Sequence, residues 1–157
     1  MKALVTYFSC SGLTKRLATN LSIAGNFDLF EIEPTIKYSD ADLNWMDKNS
    51  RSSIEMKDRS SRPEIKSKTD ISKYDYIFIG FPIWWYREPS IIDTFLESYD
   101  FSNKYIIPFA TSGGSNLGDT ENNFKILAKG ANIISGKKLS PNTSINDLKK
   151  WIDEMIK

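Results

Sequence analysis

The chain has 157 residues, of which 40% are hydrophobic and 13% aromatic, and its 21 basic and 20 acidic residues leave a formal net charge of +1. This length and apolar content predict one folded domain spanning residues 1–157 rather than a disordered chain. The sequence has no histidine and one cysteine, which excludes an internal disulfide and leaves zinc sites and Cys-His or Ser-His catalysis without their residues. We therefore expect no metal ligands and no catalytic residues.

The N-terminal segment predicts a buried strand rather than a signal peptide. Residues 1–8 contain a lysine but no long apolar region and no cleavage site. No stretch approaches the roughly 18 apolar residues that a membrane span needs. A single cysteine, Cys10, suits a reducing compartment. We expect a cytoplasmic protein with neither a membrane nor a nucleic acid as its partner.

Short apolar runs alternate with amphipathic segments along the chain. The apolar runs predict strands over residues 2–8, 28–33, 76–81, 104–111 and 131–135. The amphipathic segments predict helices over residues 13–25, 89–99, 119–129 and 145–155, the last preceded by Ser144 and Asp147 in a capping box. The polar segment 34–74 is less regular, and we expect another helix between Ser39 and Lys57. Pro108 falls inside a predicted strand and calls for a bulge or an early strand end.

This alternation of strands and helices is typical of right-handed βαβ crossovers. It predicts an α/β fold with a five-stranded parallel sheet in the order 2-1-3-4-5. In such a sheet, ligands bind beyond the carboxyl ends of the strands, near the point where the strand order reverses. The loops after the first, third and fourth strands are therefore the candidate site.

The first loop, residues 9–14, combines three hydroxyl side chains with a glycine at the start of a helix. Ser9, Ser11 and Thr14 can surround a phosphate, and Gly12 lets the backbone approach it closely. The loop lacks the patterns of nucleoside triphosphate and dinucleotide sites. The alternative is an ordinary helix cap built from common capping residues.

The second and third loops offer flat aromatic rings and free backbone groups. Three consecutive aromatic residues, Trp84 to Tyr86, follow the third strand and suit a planar ring that is kept dry. An aromatic corner that packs on the protein is the alternative for one of the two tryptophans. After the fourth strand, adjacent glycines at 113 and 114 expose backbone groups that can bind the polar edge of a ring. A flexible turn is the alternative there.

Together these loops resemble those of the flavodoxin family, in particular its short members with S-x-S-G-x-T, P-[IV]-W-W and T-S-G-G-S motifs. The resemblance runs from the first strand to the last helix and implies a flavodoxin-like three-layer α/β/α sandwich that binds FMN as its cofactor. It implies that the phosphate binds at Ser9, Cys10, Ser11, Gly12, Leu13 and Thr14, the isoalloxazine ring at Pro82, Ile83, Trp84 and Trp85, and the ring edge at Thr111, Ser112, Gly113, Gly114, Ser115 and Gly118.

The resemblance also implies an electron-transfer protein that shuttles electrons between a flavodoxin reductase and redox acceptors, as a monomer or weak dimer. The alternative is an FMN-dependent NAD(P)H quinone, azo or nitro reductase of the same fold. A phosphoacceptor receiver domain is excluded because Gly80-Phe81-Pro82 stands where the acceptor aspartate would be. Tyr86 stands where family members often have glycine, so we expect a restricted backbone rearrangement when the flavin is reduced.

Charge and thiol chemistry give two further expectations. Between Pro82 and Glu121 there are six acidic and two basic residues, which predicts a negative face around the flavin edge that includes Glu88 and Glu121. Cys10 precedes a helix N-terminus, which tends to lower a thiol pKa, and we expect the thiol to be accessible without FMN and shielded with it. The alternative is an ordinary small residue with no redox role.

Overall fold

A parallel sheet forms the centre of the chain, whose computed structural model describes residues 2–111 and 117–156. Within these residues the sheet has the order β2-β1-β3-β4-β5, with β6 also beside β4, and all its pairings are parallel. The predicted fold class and strand order are confirmed. The strands are β1 (Ala3–Tyr7), β2 (Asp28–Glu31), β3 (Tyr76–Pro82), β4 (Tyr105–Thr111), β5 (Asn132–Ile133) and β6 (Lys137–Lys138).

Helices connect the strands. The Ser144 Oγ atom accepts a hydrogen bond from Asp147 N at 3.1 Å, which confirms the predicted cap. The helix expected between residues 39 and 57 is shorter than that segment and begins after Ser50, whose side chain caps it. In the described part of the chain no helix has the length and apolar character needed to cross a bilayer. The helices are α1 (Leu13–Gly25), α2 (Arg51–Lys57), α3 (Ser90–Glu97), α4 (Thr120–Leu127) and α5 (Ile145–Met155).

Two apolar clusters cover the two faces of the sheet. Apolar residues of α3 and α4, such as Phe95 and Phe124, pack in one cluster, and those of α1 and α5, such as Leu21 and Leu148, pack in the other. Because both faces are covered, β3 is buried from Ile77 to Phe81 and its sequence is apolar without alternation. This central strand ends directly beneath the candidate site.

Pro108 does not end its strand but interrupts the neighbouring one. The carbonyls of Ile106 and Ala110 accept hydrogen bonds from Ile134 N and Leu139 N, both at 2.9 Å. Alternate residues of a strand direct their backbone N–H and C=O groups to the same side. Position 108 therefore faces the same neighbour as Ile106 and Ala110, but proline has no N–H to donate to it. The fifth strand position is therefore split into β5 and β6. The fifth strand predicted over residues 131–135 is confirmed but shorter, at Asn132–Ile133, and is followed by the separate β6. The bulge or early end predicted for β4 is wrong, since β4 runs to Thr111.

The contact across this gap predicts a stability effect at Gly136. A Cβ atom added there would lie 2.1 Å from the carbonyl oxygen of Pro108, a backbone atom that cannot move aside cheaply. We expect Gly136→Ala to lower the free energy of unfolding by about 1–3 kcal/mol, as measured by urea denaturation. The exposed neighbour provides the control, since Ser135→Ala should change stability by less than about 0.5 kcal/mol. Equal effects of the two substitutions would contradict this packing.

Candidate functional site

The three loops meet at the carboxyl edge of the sheet. The Thr14 and Thr111 hydroxyls, at the start of α1 and the end of β4, lie 2.7 Å apart in a buried hydrogen bond. Ile83 N, just after β3, donates to the Thr111 carbonyl at 3.1 Å. Thr111 thus joins all three loops. Ser112, Gly113, Gly114 and Ser115, which were expected to meet a ring edge, lie outside the described residues.

The first loop presents a helix N-terminus that is open to an anion. Gly12 is the N-cap residue of α1, with a φ of 90° and no side-chain cap hydrogen bond. The hydroxyls of Ser9 and Ser11 accept from Gly12 N at 3.1 Å and Leu13 N at 3.5 Å. Apart from Gly12 itself and its two chain neighbours, no atom of the described residues lies within 4 Å of a Cβ built on Gly12. The serines therefore do not occupy the N-cap position, and there is space beside Gly12 where a phosphate could meet the loop's amides and hydroxyls.

Cys10 differs from the expectation in its acidity. The residue is exposed, as predicted for the protein without a ligand. The protein around the sulfur nevertheless removes water from it, and this burial raises the pKa of the Cys10 thiol to about 12, although the positive charge of Arg51 acts in the opposite direction. The predicted lowering of this pKa is wrong because desolvation outweighs the nearby positive charge. At neutral pH the loop therefore presents a protonated thiol.

The second loop is a tight turn with two left-handed residues. Trp84 and Arg87 exchange two backbone hydrogen bonds of 3.0 and 3.2 Å. Between them, Trp85 has a φ of 48° and Tyr86 a φ of 66°, a combination that type I′ turns require and that usually selects asparagine or glycine. Each left-handed residue costs roughly 1–2 kcal/mol. The surrounding structure must stabilise this turn.

The two tryptophans have different surroundings. Trp84 is half-buried and packs edge-on against Phe8 and Tyr38, with ring centroids 5.7 and 5.5 Å away. Tyr38 is itself held by a hydrogen bond from its hydroxyl to Glu55. Trp85 is 44% exposed. One indole thus packs on the protein, as the sequence alternative allowed, and Trp85 is the one that can offer a free ring face.

The third loop is attached to the turn by a glycine contact. Asp119 N, at the start of α4, donates to the Tyr86 carbonyl at 3.0 Å. Gly118 has a φ of 56°, and a Cβ atom there would lie 1.9 Å from that same carbonyl oxygen. Only glycine permits this approach. Gly118, which was predicted to meet the ring edge, therefore packs against the Tyr86 carbonyl and helps to hold Tyr86 in its left-handed conformation.

A buried charged cluster lies beneath the turn. The Arg87 guanidinium donates to Asp93 Oδ2 and to the Met56 carbonyl, both at 3.3 Å. The fully buried Glu88 accepts from Asn123 Nδ2, at 3.0 Å to Oε1 and 3.2 Å to Oε2. These contacts connect the turn to α2, α3 and α4.

Glu88 and Asp93 form a buried carboxyl pair. Burial raises the pKa of Glu88 to about 9, and the neighbouring Asp93 carboxyl adds to the shift. Burial also raises the pKa of Asp93, although Arg87 and Arg62 oppose this. The Oδ1 atom of Asp93 is buried and has no hydrogen-bond partner among the described residues. With its pKa raised in this way, Glu88 is protonated at neutral pH.

The expected negative face is therefore wrong where it includes Glu88. Both Glu88 and Asp93 are buried, where Asn123 and Arg87, respectively, donate hydrogen bonds to them. Two further acidic residues of this stretch have arginine partners, since Arg59 lies 3.4 Å from Asp119 and Arg62 hydrogen-bonds to Glu97. Glu121 accepts from Gly136 N at 3.0 Å. These acidic residues thus make contacts within the protein, and the surface around the second loop is less negative than the sequence count predicts.

Trp45 is a candidate residue that the sequence reasoning did not assign to the site. It lies in the irregular segment before α2 and is 69% exposed. Together with the second loop it lines a cavity of about 400 Å³ formed by Trp45, Ile83, Trp84, Trp85 and Tyr86. A tryptophan in an otherwise polar segment was the only signal of this role.

Comparisons with known proteins agree with this architecture. A sequence model of the family described as flavodoxin matches residues 2–155. The chain belongs to the flavodoxin family. Among curated proteins, no sequence matches it.

Solved structures of similar proteins include flavoproteins of the same size. A protein described as a flavoprotein from Bacteroides eggerthii DSM 20697 is 44% identical, with a TM-score of 0.92 over 98% of this chain and 97% of that one. Another, from Bacteroides uniformis ATCC 8492, is 46% identical, with a TM-score of 0.91 over 97% of each chain. A flavoprotein from Lactobacillus acidophilus NCFM, solved in complex with FMN, is 26% identical, with a TM-score of 0.77 over 99% of each chain. The flavodoxin-like fold is thus confirmed.

The carboxyl pair of this flavodoxin-family protein predicts a pH-dependent stability. Glu88 keeps its proton in the folded state up to about pH 9, whereas in the unfolded chain it loses it near the ordinary value of about 4.3. Because the folded state binds more protons between these values, the stability that this proton contributes is lost as the pH rises, by up to about 1.4 kcal/mol per pH unit. A glutamine side chain imitates the protonated acid, so Glu88→Gln should flatten the decline and be at least as stable as the wild type near pH 8.5.

The measurement is urea denaturation at several pH values between about 5 and 9. The control is Glu154→Gln at an exposed position of α5, which should retain the wild-type slope. If Glu88→Gln retains that slope too, Glu88 is ionised in the folded protein and its raised pKa is ruled out.

Proposed function

We propose that this protein binds FMN non-covalently and acts as an electron carrier between a reductase and redox acceptors. The observation that carries the proposal is the meeting of an open helix N-terminus and an exposed indole at one edge of the sheet. When bound, FMN supplies the redox chemistry. The FMN complex of the Lactobacillus relative supports the choice of cofactor.

The first loop is the proposed phosphate site. Its amide N–H groups at Gly12 and Leu13 donate to the loop's own serine hydroxyls, at 3.1 and 3.5 Å. A phosphate is a stronger acceptor than a hydroxyl, and the helix N-terminus favours its charge. Ser9 and Ser11 would then turn their hydroxyls to donate to the phosphate oxygens, while the buried Thr14–Thr111 hydrogen bond holds the loop in place.

The second loop is the proposed ring site. Trp85 offers an exposed indole face, and Trp84 backs the loop through Phe8 and Tyr38. Exposure of Trp85 and Tyr86, 44% and 70% respectively, leaves the ring site near the surface, where electrons can pass to a partner. Electron transfer requires no general base, which suits a chain with no histidine.

The phosphate site predicts a difference between FMN and riboflavin, which lacks the phosphate. In Ser9→Ala/Ser11→Ala, hydrogen bonds from both hydroxyls to a charged group are lost, so FMN affinity should fall by roughly tenfold or more. Riboflavin affinity should change little and serves as the internal control. Quenching of flavin fluorescence during titration measures both dissociation constants, and an equal loss for both ligands would place the phosphate elsewhere.

The ring site predicts unequal roles for the two tryptophans. Trp85→Ala should raise the fluorescence of the bound flavin and weaken FMN binding by about tenfold, because an aromatic stacking contact is lost. Trp84→Phe keeps an aromatic ring against Phe8 and Tyr38 and should leave both quantities nearly unchanged. Quenching that persists in Trp85→Ala but disappears in Trp84→Phe would reverse the assignment.

The proposed carrier role is tested against the reductase alternative by the choice of electron donor. The FMN-loaded protein is mixed anaerobically with NADPH or NADH alone, and then with a flavodoxin reductase added, while flavin absorbance is followed. A carrier is reduced slowly without the reductase and rapidly with it. Rapid reduction by NADPH or NADH alone, with turnover of a quinone, would establish the reductase instead.

A further inference from the structure

A second cavity lies beside Trp85 on the side of α2. It has a volume of about 310 Å³ and is lined by Trp45, Lys48, Ser53, Met56, Lys57 and Trp85. We call it the Trp45 cavity. Its volume lies at the lower end of the range found for small-molecule sites, roughly 300–1,000 Å³. None of the phosphate-loop residues and neither Pro82 nor Ile83 lines it, although Trp45 and Trp85 also line the cavity of about 400 Å³ at the second loop.

The walls of this cavity combine flat apolar surface with positive charge. Trp45 and Trp85 contribute indole rings, and Met56 contributes a thioether that packs well against aromatic groups. Lys48 and Lys57 are exposed, and neither forms an ion pair with a described residue. No carboxylate lines the cavity within the described chain. A ligand that matches these walls has a flat aromatic body and an anionic group.

The exposure of Trp45 is a property of an ordered segment. Ser39 and Asp42 exchange hydrogen bonds in which Ser39 N donates to Asp42 Oδ2 at 2.9 Å and Asp42 N donates to Ser39 Oγ at 3.1 Å. The other end is joined to α2, since Ser53 Oγ donates to the Asp47 carbonyl at 2.8 Å. Hydrogen bonds thus hold the segment on either side of Trp45, and its exposed indole leaves apolar area in contact with solvent.

Trp85 is equally fixed on the opposite wall. The turn that carries it is closed by the two Trp84–Arg87 backbone hydrogen bonds, and Arg87 binds the carbonyl of Met56, the residue between the two walls, at 3.3 Å. Two tryptophans are thus held next to one apolar residue with two lysines at the rim. A preformed site of this kind binds its ligand with little ordering cost.

We infer that the Trp45 cavity binds a small flat aromatic anion, with its ring against Trp45 and Trp85 and its anionic group at Lys48 and Lys57. This inference goes beyond the proposed function, because it concerns a second ligand that would share the Trp85 indole with the proposed ring site but would not contact the phosphate loop. The ligand class includes aromatic carboxylates and sulfonates.

The test uses anthraquinone-2-sulfonate as the probe and the FMN-saturated protein, with binding measured by isothermal titration calorimetry. Lys48→Gln/Lys57→Gln should weaken probe binding by about tenfold, and Trp45→Ala should weaken it by a similar factor. The matched control is Lys149→Gln/Lys150→Gln on α5, which covers the other face of the sheet and should bind the probe as the wild type does. The uncharged 2-(hydroxymethyl)anthraquinone should respond to Trp45→Ala but not to the lysine substitutions.

Three results would overturn the inference. The probe could fail to bind, it could bind unchanged in both the Trp45 and the Lys48/Lys57 variants, or it could be displaced from the apoprotein one-for-one by FMN, which would make the Trp45 cavity part of the flavin site. Failure of the proposed function has a different signature, since FMN would then fail to bind in a titration without the probe. Probe binding to the apoprotein still tests the Trp45 cavity in that case.

Discussion

Arg87 carries a positive charge into the interior, and the elements around the aromatic turn are arranged to satisfy it. Its guanidinium binds Asp93 on α3 and the carbonyl of Met56 on α2, while the next residue, Glu88, binds Asn123 on α4. Removing one member of such a cluster leaves a buried polar group unpaired, which costs more than the net value of the contact itself. The position of the turn therefore depends on three helices at once.

This anchoring explains how a turn with two left-handed non-glycine residues can persist. The strain at Trp85 and Tyr86 is opposed by the Arg87 cluster on one side and by the Gly118 contact on the other. Strained backbone of this kind is kept where the surrounding structure determines it and often lies at functional sites. In this protein the turn holds the Trp85 indole in an exposed position, where it lines both cavities.

Patterns within single segments were enough to predict the strands, the strand order and most helices, because burial on both faces imposes continuous apolar runs and helical periodicity. They also placed the three loops at one edge. The burial of Glu88 and Asp93 could not be predicted, since acidic residues are rarely buried and their partners come from other elements. The role of Trp45 was missed for the same reason, because its segment has little periodicity and its neighbour Trp85 is distant in the sequence.

The interruption at Pro108 has a consequence for association between chains. The outermost strand of a sheet exposes backbone groups that can template the addition of a strand from another molecule and so start aggregation. Here that strand consists of two pieces of two residues each, β5 and β6, and the second piece is Lys137–Lys138. An incoming strand would find neither a continuous row of partners nor an uncharged surface. A proline inside the sheet thereby protects this edge from uncontrolled growth.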